Sequence, residues 1–401
     1  MHRVRAEENA LLLWNGALAR TAYISGEELH ALRAWADGED NGFSERLKGL
    51  GIISDAAKAT IREAIAKAAK QKAPANSFCA PESIHIELTS RCPLNCPQCY
   101  KEQAKTDLAF AVLLDAIRQA DEMHVFQIAL GGGEPLVYPH LLAAVAEISG
   151  RGMGVSITTS GVGLTRAFLS ELRNAGLHHM QFSLNGSSEE IHSRSRDGYA
   201  HTINALRLAG EAGISFGINW VARMDNIDDF PALTEKAKGL HANNINILRY
   251  KPSAKECYAA ICLSADKQLF LEDAVKSTVG ISIKVDSAFT NLLCHVNGRT
   301  SFFSGCGAGR RFLAMDADGY YRPCSHIPLK ERANSLKELW YTSANLAAFR
   351  FAGDKIKEPC ASCGFLNGCL GCRAVMLGRT GDFYAGDISC PFQTQNRRAC
   401  I

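Results

Sequence analysis

Short apolar runs alternate with longer amphipathic stretches along most of this chain, and that rhythm outlines the architecture. From position 83 the pattern predicts strands over 84–89, 126–130, 155–159, 180–184, 215–221 and 245–250. Helical periodicity falls between and after them, over 108–123, 141–148, 167–175, 201–212, 230–240 and 267–279. Strand and helix in strict succession imply a parallel sheet with helices outside it. Six such units can curve into a partial (β/α)6 barrel of TIM type, with chemistry at the carboxyl ends of the strands. Ahead of the barrel, residues 1–75 read as a small α+β module. It has strands over 10–14 and 20–24 around Asn15-Gly16, then helices over 27–36, 44–50 and 56–70. The polar, proline-containing stretch 70–77 reads as a linker. Beyond 281 the alternation stops, and apart from helical periodicity over 336–349 the chain becomes rich in glycine and cysteine. The expected organisation is therefore a module at 1–75, a barrel at 80–281 and a loop-rich, cysteine-rich region at 282–401.

Composition narrows the function classes. The 401 residues are 47% hydrophobic and 21% charged, with a net charge of +3. That balance fits a globular protein with a large core and does not suggest a nucleic-acid or membrane-surface partner. The first residues have no signal-peptide layout, since Glu7 and Glu8 precede only a short apolar run. The expected location is the cytoplasm, where fifteen cysteines are better explained by metal than by disulfides.

Ten of the cysteines form two patterned groups. Cys92, Cys96 and Cys99 follow a C-x3-C-x2-C spacing directly after the first barrel strand. Three thiolates from one tight loop can hold three irons of a [4Fe–4S] cube, leaving the fourth iron open. A structural zinc site is the rival reading, but zinc usually takes four ligands in two spaced pairs. The second group is Cys306, Cys324, Cys360, Cys363, Cys369, Cys372 and Cys390, seven cysteines within 85 residues.

The first loop, with Tyr100 after its third cysteine, resembles the signature of the radical S-adenosylmethionine superfamily. The resemblance extends over about residues 83–392. It implies a [4Fe–4S] cluster on Cys92, Cys96 and Cys99 that binds S-adenosylmethionine and cleaves it reductively to a 5′-deoxyadenosyl radical. The electron would come from a flavodoxin- or ferredoxin-like donor. Gly131-Gly132-Gly133-Glu134-Pro135 resembles the family's GGEP motif, whose backbone and acid receive the methionine ammonium. By the same resemblance Ser160 ends the polar segment of the third strand. Ser183-Leu184-Asn185-Gly186 stands for an SLDG motif with Asn185 in place of the usual aspartate, and Arg196 pairs with the methionine carboxylate, Arg194 being the neighbouring candidate. Arg249 and Lys251, ending the sixth strand, either face the site or are solvated loop charges.

The second group resembles the SPASM domain, which binds one or two auxiliary iron–sulfur clusters. Cys360, Cys363, Cys369 and Cys390 would hold one. Cys306, Cys324 and Cys372 would hold the other, with Cys294 or an open iron completing it. Cys79, Cys257, Cys262 and Cys400 are expected in packing or at the surface. His326, two residues after Cys324, is either a proton acceptor or a packed histidine, and 315–319 reads as a hairpin turn.

Three functions follow. The first is an oxidoreductase acting as a maturase of a ribosomal precursor peptide, with residues 1–75 recognising the peptide or serving as a cap. The second is a superfamily enzyme acting on a small molecule such as a tetrapyrrole side chain. The third is a non-catalytic iron–sulfur or zinc scaffold. The catalytic acid or base is not assigned.

Overall fold

The computed structural model describes residues 2–15, 20–101, 105–252, 258–292 and 305–392. The chain begins with an antiparallel sheet of β1 (His2–Glu7), β2 (Ala10–Asn15) and β3 (Arg20–Ser25), in the order β1-β2-β3. Helices α1 (Gly26–Ala36), α2 (Gly42–Gly49) and α3 (Lys58–Ala68) pack on it. The central strand is buried along its whole length because both faces are covered. Leu11 and Leu13 join Leu32, Trp35, Ile61 and Ile65 beneath the helices. Leu12 and Trp14 point the other way, onto Phe78 and Phe126 of the following body. The continuous run Ala-Leu-Leu-Leu-Trp thus serves two cores.

Strand β1 is absent from the sequence expectation, and the reason is electrostatic. Its charged residues are tied to the barrel: Arg3 pairs with Asp121 at 2.9 Å and a buried Arg5–Glu7 pair closes at 2.6 Å. Arg5 also donates to the Pro81 carbonyl at 2.7 Å, and Glu7 accepts from the Cys79 N–H at 2.6 Å. A strand that buries paired charge does not read as apolar.

Six parallel strands follow: β4 (Ser83–Thr89), β5 (Gln127–Gly132), β6 (Gly154–Thr159), β7 (His179–Ser183), β8 (Phe216–Ala222) and β9 (Asn244–Arg249). Between them run α4 (Phe110–Glu122), α5 (Leu141–Gly150), α6 (Arg166–Asn174), the short α7 (Glu189–Ser193), α8 (Tyr199–Glu211) and α9 (Phe230–Gly239). The class is the expected α/β partial barrel. The sheet nevertheless continues past residue 281, where the alternation was expected to end. Strand β10 (Ser282–Val285) pairs parallel with β9, and β11 (Phe312–Met315) pairs parallel with β4. The two-residue β12 (Tyr321–Arg322) returns antiparallel to β11, so the turn at 315–319 is the expected hairpin. Both added strands are only four residues long, too short to show a period. With β10 and β12 at opposite ends of the strand order, the described residues form an open barrel.

The six strands have two unlike faces. Ile84, Ile86, Ile128, Leu130, Ile157, Met180, Phe182, Ile218, Trp220, Ile245 and Ile247 point outward into the helix-covered core. The alternate positions point inward and are largely polar: His85, Glu87, Gln127, Ser156, Gln181, Asn219 and Asn246. Ordinary parallel barrels fill this interior with branched apolar side chains. Here it is a cavity. Among the described residues no helix is long and apolar enough to cross a membrane.

Candidate active site

The cysteine loop leaves β4 at Thr89, whose hydroxyl donates to Asp107 at 2.6 Å and accepts from the Arg91 N–H at 3.0 Å. Arg91 forks onto Asp107 at 2.9 and 2.6 Å and reaches the Val137 carbonyl at 3.1 Å. The neighbouring strand end is laced to the same loop. Gly133 N–H donates to the Thr89 carbonyl at 2.7 Å, and Glu134 N–H donates to the Arg91 carbonyl at 2.9 Å. A Cβ on Gly133 would collide with the Arg91 carbonyl oxygen and lie 2.8 Å from that of Ser90. Gly132 has φ +128° and lies as close to Thr89. Only glycine allows that approach.

The loop's far side is held by the segment after α7. Asp197 N–H points at the Cys96 sulfur at 3.4 Å, and Gln98 N–H donates to the Ser195 carbonyl at 3.1 Å. Cys92, Cys96 and Cys99 all line one cavity of about 990 Å³, large enough for a cofactor and part of a substrate. Gly132, Gly133, Glu134, Ser160, Ser183 and Arg196 line it too.

Pro135 and Asn185 are not among the lining residues. Asn185 is fully buried behind the wall, donating to Ser195 Oγ at 2.8 Å and accepting from the Val221 N–H at 3.0 Å. The amide thus ties β8 to the end of α7. Glu134 is buried as well, its carboxylate accepting from Thr159 Oγ1 at 2.5 Å and from the Ser160 N–H at 2.8 Å, along with the Ser160 hydroxyl and Leu136 N–H. The two arginine candidates separate. Arg194 sits on the surface, paired with Glu190 at 2.8 Å. Arg196 lines the cavity, and its Nε is buried without a hydrogen-bond partner.

Cys306, Cys324 and Cys372 face the same cavity from the C-terminal region. Burial pushes the Cys306 thiol up to about 11 and the Cys324 thiol to about 12. Cys360, Cys363, Cys369 and Cys390 are set behind them and do not line it. Cys363 N–H donates to the Cys360 carbonyl at 3.0 Å, placing both in one turn. Gly305 (φ +93°) brings the Cys306 segment against Cys369, with the Gly368 carbonyl oxygen 2.8 Å from where a Cβ would stand. Cys294, Cys257 and Cys400 lie outside the described residues. Cys79 is buried, as expected of a packing cysteine, and Cys262 is half-buried.

Glu87, Lys101 and Asp286 are cavity groups that escaped the sequence reading. Glu87 pairs with Lys101 at 2.6 Å, and Asp286 pairs at 3.2 Å with Lys251, which the sequence offered as facing the site. Burial works against the Lys251 ammonium, but Asp286 overcomes it and raises its pKa. Tyr100 packs against His326 with ring centroids 4.0 Å apart and the planes tilted by 38°, joining the first cysteine loop to the hairpin of Cys324. Burial first, then Lys251 and Lys101, hold the His326 pKa well below its ordinary value. Arg249 is no solvated charge either: it is buried and pairs with Asp387 at 2.7 Å. A lone charge in a strand carries no sequence signal of its own. The usable signal is the polar residue at every second position of parallel strands that should be apolar throughout.

The donor set suits an iron–sulfur cluster with a chelating cofactor. All twelve described cysteines are free thiols, and three of them leave one loop toward a cavity with a glycine-tight wall, Gly132–Gly133, beside them. Among the described residues no three cysteine, histidine or carboxylate groups close around a single-ion point. The unpartnered Arg196 Nε offers a buried cationic donor on the same cavity, suited to a carboxylate.

Comparison with known proteins agrees. Residues 86–237 match the family model described as the Radical SAM superfamily. A PqqA peptide cyclase of Rhizobium meliloti (strain 1021) is 29% identical over 328 residues, covering 77% of this chain and 87% of that protein. The Streptomyces rochei PqqA peptide cyclase is 28% identical over 78% of this chain and 89% of its own length. Among solved structures, Streptococcus suis SuiB bound to S-adenosylmethionine superposes with a TM-score of 0.75 at 18% identity, over 97% of this chain and 98% of that one. SuiB bound to its precursor peptide SuiA gives 0.72 at 16% identity, over 97% and 100%.

Proposed function

We propose that the chain is a radical S-adenosylmethionine enzyme, as the family match over residues 86–237 supports, and that it oxidatively modifies a ribosomally made precursor peptide, using a cluster held by Cys92, Cys96 and Cys99. The peptide reading draws its support from the relatives, one named a peptide cyclase and one solved with its precursor peptide. A single observation carries the cofactor reading: three thiols of one loop, the Gly132–Gly133 wall and the unpartnered Arg196 Nε share one cavity.

When bound, the reduced cluster and S-adenosylmethionine supply a primary carbon radical that takes a hydrogen atom from a C–H bond, and auxiliary clusters supply an electron acceptor. The chain's own residues place and screen these partners. Arg196 receives the methionine carboxylate. Glu134 is anchored by Thr159 and Ser160, so it favours the ammonium through its charge and through the strand end it fixes. The Ser160 and Ser183 hydroxyls face the polar part of the cofactor, while Pro135 and Asn185 brace the wall from behind. Cys360, Cys363, Cys369 and Cys390 form one auxiliary site, and Cys306, Cys324 and Cys372 face the cavity as the other. Residues 1–75 present a three-stranded sheet whose edges suit peptide addition. A flavodoxin- or ferredoxin-like protein completes the system as electron donor.

Anaerobically reconstituted protein given dithionite and S-adenosylmethionine is expected to release 5′-deoxyadenosine, and the Cys92→Ala, Cys96→Ala, Cys99→Ala triple variant to release none. Equal release from both sinks the cluster assignment. Co-expression with short peptides encoded beside the gene, read by mass spectrometry, tests the substrate. Turnover of the cofactor with every such peptide unmodified overturns the peptide reading alone.

A further inference from the structure

The end of the last barrel strand and the C-terminal cysteines meet through one dry ion pair. Arg249 closes β9 and lines the cavity. Its Nη1 lies 2.7 Å from Asp387 Oδ2, with the two side chains 3% and 5% exposed. Asp387 faces the cysteines with its backbone. Its N–H points at the Cys360 sulfur at 3.2 Å, and its carbonyl accepts from the Cys390 N–H at 3.2 Å. The other carboxylate oxygen accepts from Ser389 N–H at 3.0 Å and from its hydroxyl at 2.6 Å. On the cavity side, Arg249 donates to the Ala288 carbonyl at 3.2 Å; toward the cysteines it also donates to Ser389 Oγ at 2.8 Å. Ala288 lies two residues after Asp286, the partner of Lys251 in the cavity wall.

We infer that Asp387 and Arg249 are a positioning pair that couples iron loading at Cys360 and Cys390 to the conformation of the cavity wall around Arg249–Lys251 and Asp286–Ala288. This rests on the reading that the C-terminal cysteines hold a cluster. The physical argument has two parts. A buried ion pair is weak evidence for stability, because dehydrating both charges offsets most of their attraction, so its better-attested use is to fix one arrangement among alternatives. Here the arrangement it fixes joins a sulfur to a cavity wall. An N–H facing a neutral thiol makes a weak hydrogen bond, and one facing a metal-bound thiolate makes a charge-assisted one. Loading Cys360 therefore tightens the Asp387 backbone. The carboxylate it carries then holds Arg249, and through it the Ala288 carbonyl, in the geometry observed. Neither residue touches the reacting atoms in this reading; both act on the shape of the space in which the substrate sits.

The test uses full-length, anaerobically reconstituted protein in four forms: wild type, R249Q, C360A/C390A, and the combination. Iron per chain, the cluster's electron paramagnetic resonance signal, and amide hydrogen exchange over residues 244–252 and 282–292 are read for each. Removing the cysteines in the wild-type background is expected to speed exchange in these segments by between about 5- and 150-fold, the ordinary span of intersite coupling. R249Q is expected to keep its iron, and in its background the same removal is expected to change exchange little. Equal changes in both backgrounds overturn the inference. D387N keeps the backbone donor but loses the carboxylate charge, and the same loss of coupling is expected of it, so it serves if R249Q does not fold. Should C360A/C390A retain the iron content and signal of the wild type, the cluster reading itself fails; a cysteine-dependent signal with undiminished coupling in R249Q and D387N sinks only the inference.

Discussion

At the scale of single residues, the candidate site is governed by close approach and by charge placement. Gly133 leaves no room for a side chain against the Arg91 carbonyl. Gly133→Ala should push the cysteine loop away from the strand end, and displacements near 1 Å can lower a rate about 100-fold. Rates of 5′-deoxyadenosine formation measure it, with iron content checked to separate a shifted loop from a lost cluster. The two arginines make a sharper pair. Arg196 has a buried Nε without a partner on the cavity, whereas Arg194 is satisfied at the surface by Glu190 and the Asp225 carbonyl. Losing a hydrogen bond to a charged group costs about 1.5–3 kcal/mol. Arg196→Ala should therefore weaken S-adenosylmethionine binding by roughly 10- to 100-fold in equilibrium titrations, and Arg194→Ala should leave it unchanged. Equal effects would contradict the assignment. The cysteine loop, the glycine-rich strand end and Arg196 were all legible in the sequence, because each lies within a short local pattern. Glu87, Lys101 and Asp286 were not. Each is an ordinary charge until the barrel turns it inward.

At the scale of elements, the module at the start of the chain is not an appendage that can be removed cleanly. Trp14 of β2 stacks on Phe126, with ring centroids 6.1 Å apart, and packs beside Gly154 at the start of β6. The Arg5–Glu7 pair binds the backbone at Pro81 and Cys79, just ahead of β4. Trp14→Ala should lower the unfolding free energy by about 3–5 kcal/mol, the usual range for emptying a buried aromatic site, as read by denaturant titration. Deleting residues 1–75 exposes Phe78 and Phe126 together, and the truncated chain is expected to aggregate during purification. A stable, monodisperse truncation would show that the junction contributes little. Strand β2 was visible as an apolar run. Its double burial was not, since a run buried on two faces and a run buried on one can have the same composition.

At the scale of the whole molecule, burial of neutral histidines sets a limit on acid tolerance. Burial lowers both His179 and His192 to about 4. His192 is fully buried, its Nδ1 accepting from the Asn185 N–H and its Nε2 facing the Asp197 carbonyl, partners that suit the neutral ring. In the unfolded chain a histidine takes its proton near 6.5. Between about pH 6.5 and pH 4 the unfolded state thus binds more protons than the folded one. Stability is therefore complete above 6.5 and falls as the pH drops toward 4, by at most roughly 3 kcal/mol for each histidine. His192→Asn should flatten this decline in pH-dependent unfolding; an unchanged slope would mean that other groups cause it.

Local spacing along the chain was enough to specify two things: three thiols on one tight loop, and six strand–helix units that build an α/β barrel. Both are set by neighbours a few residues apart, where hydrophobic period and loop length leave few choices. The tertiary structure decided what those parts enclose. It turned the alternate strand positions into a polar cavity, and it brought Cys306, Cys324 and Cys372 round to face Cys92, Cys96 and Cys99. It also set Arg249 against Asp387, 138 positions later in the chain, where two buried charges can persist only because each compensates the other for the water it has lost. Contacts of that kind depend on how the sheet curves and on which edge strands join it, and short strands such as β10 and β11 gain their conformation only from the neighbours already in place.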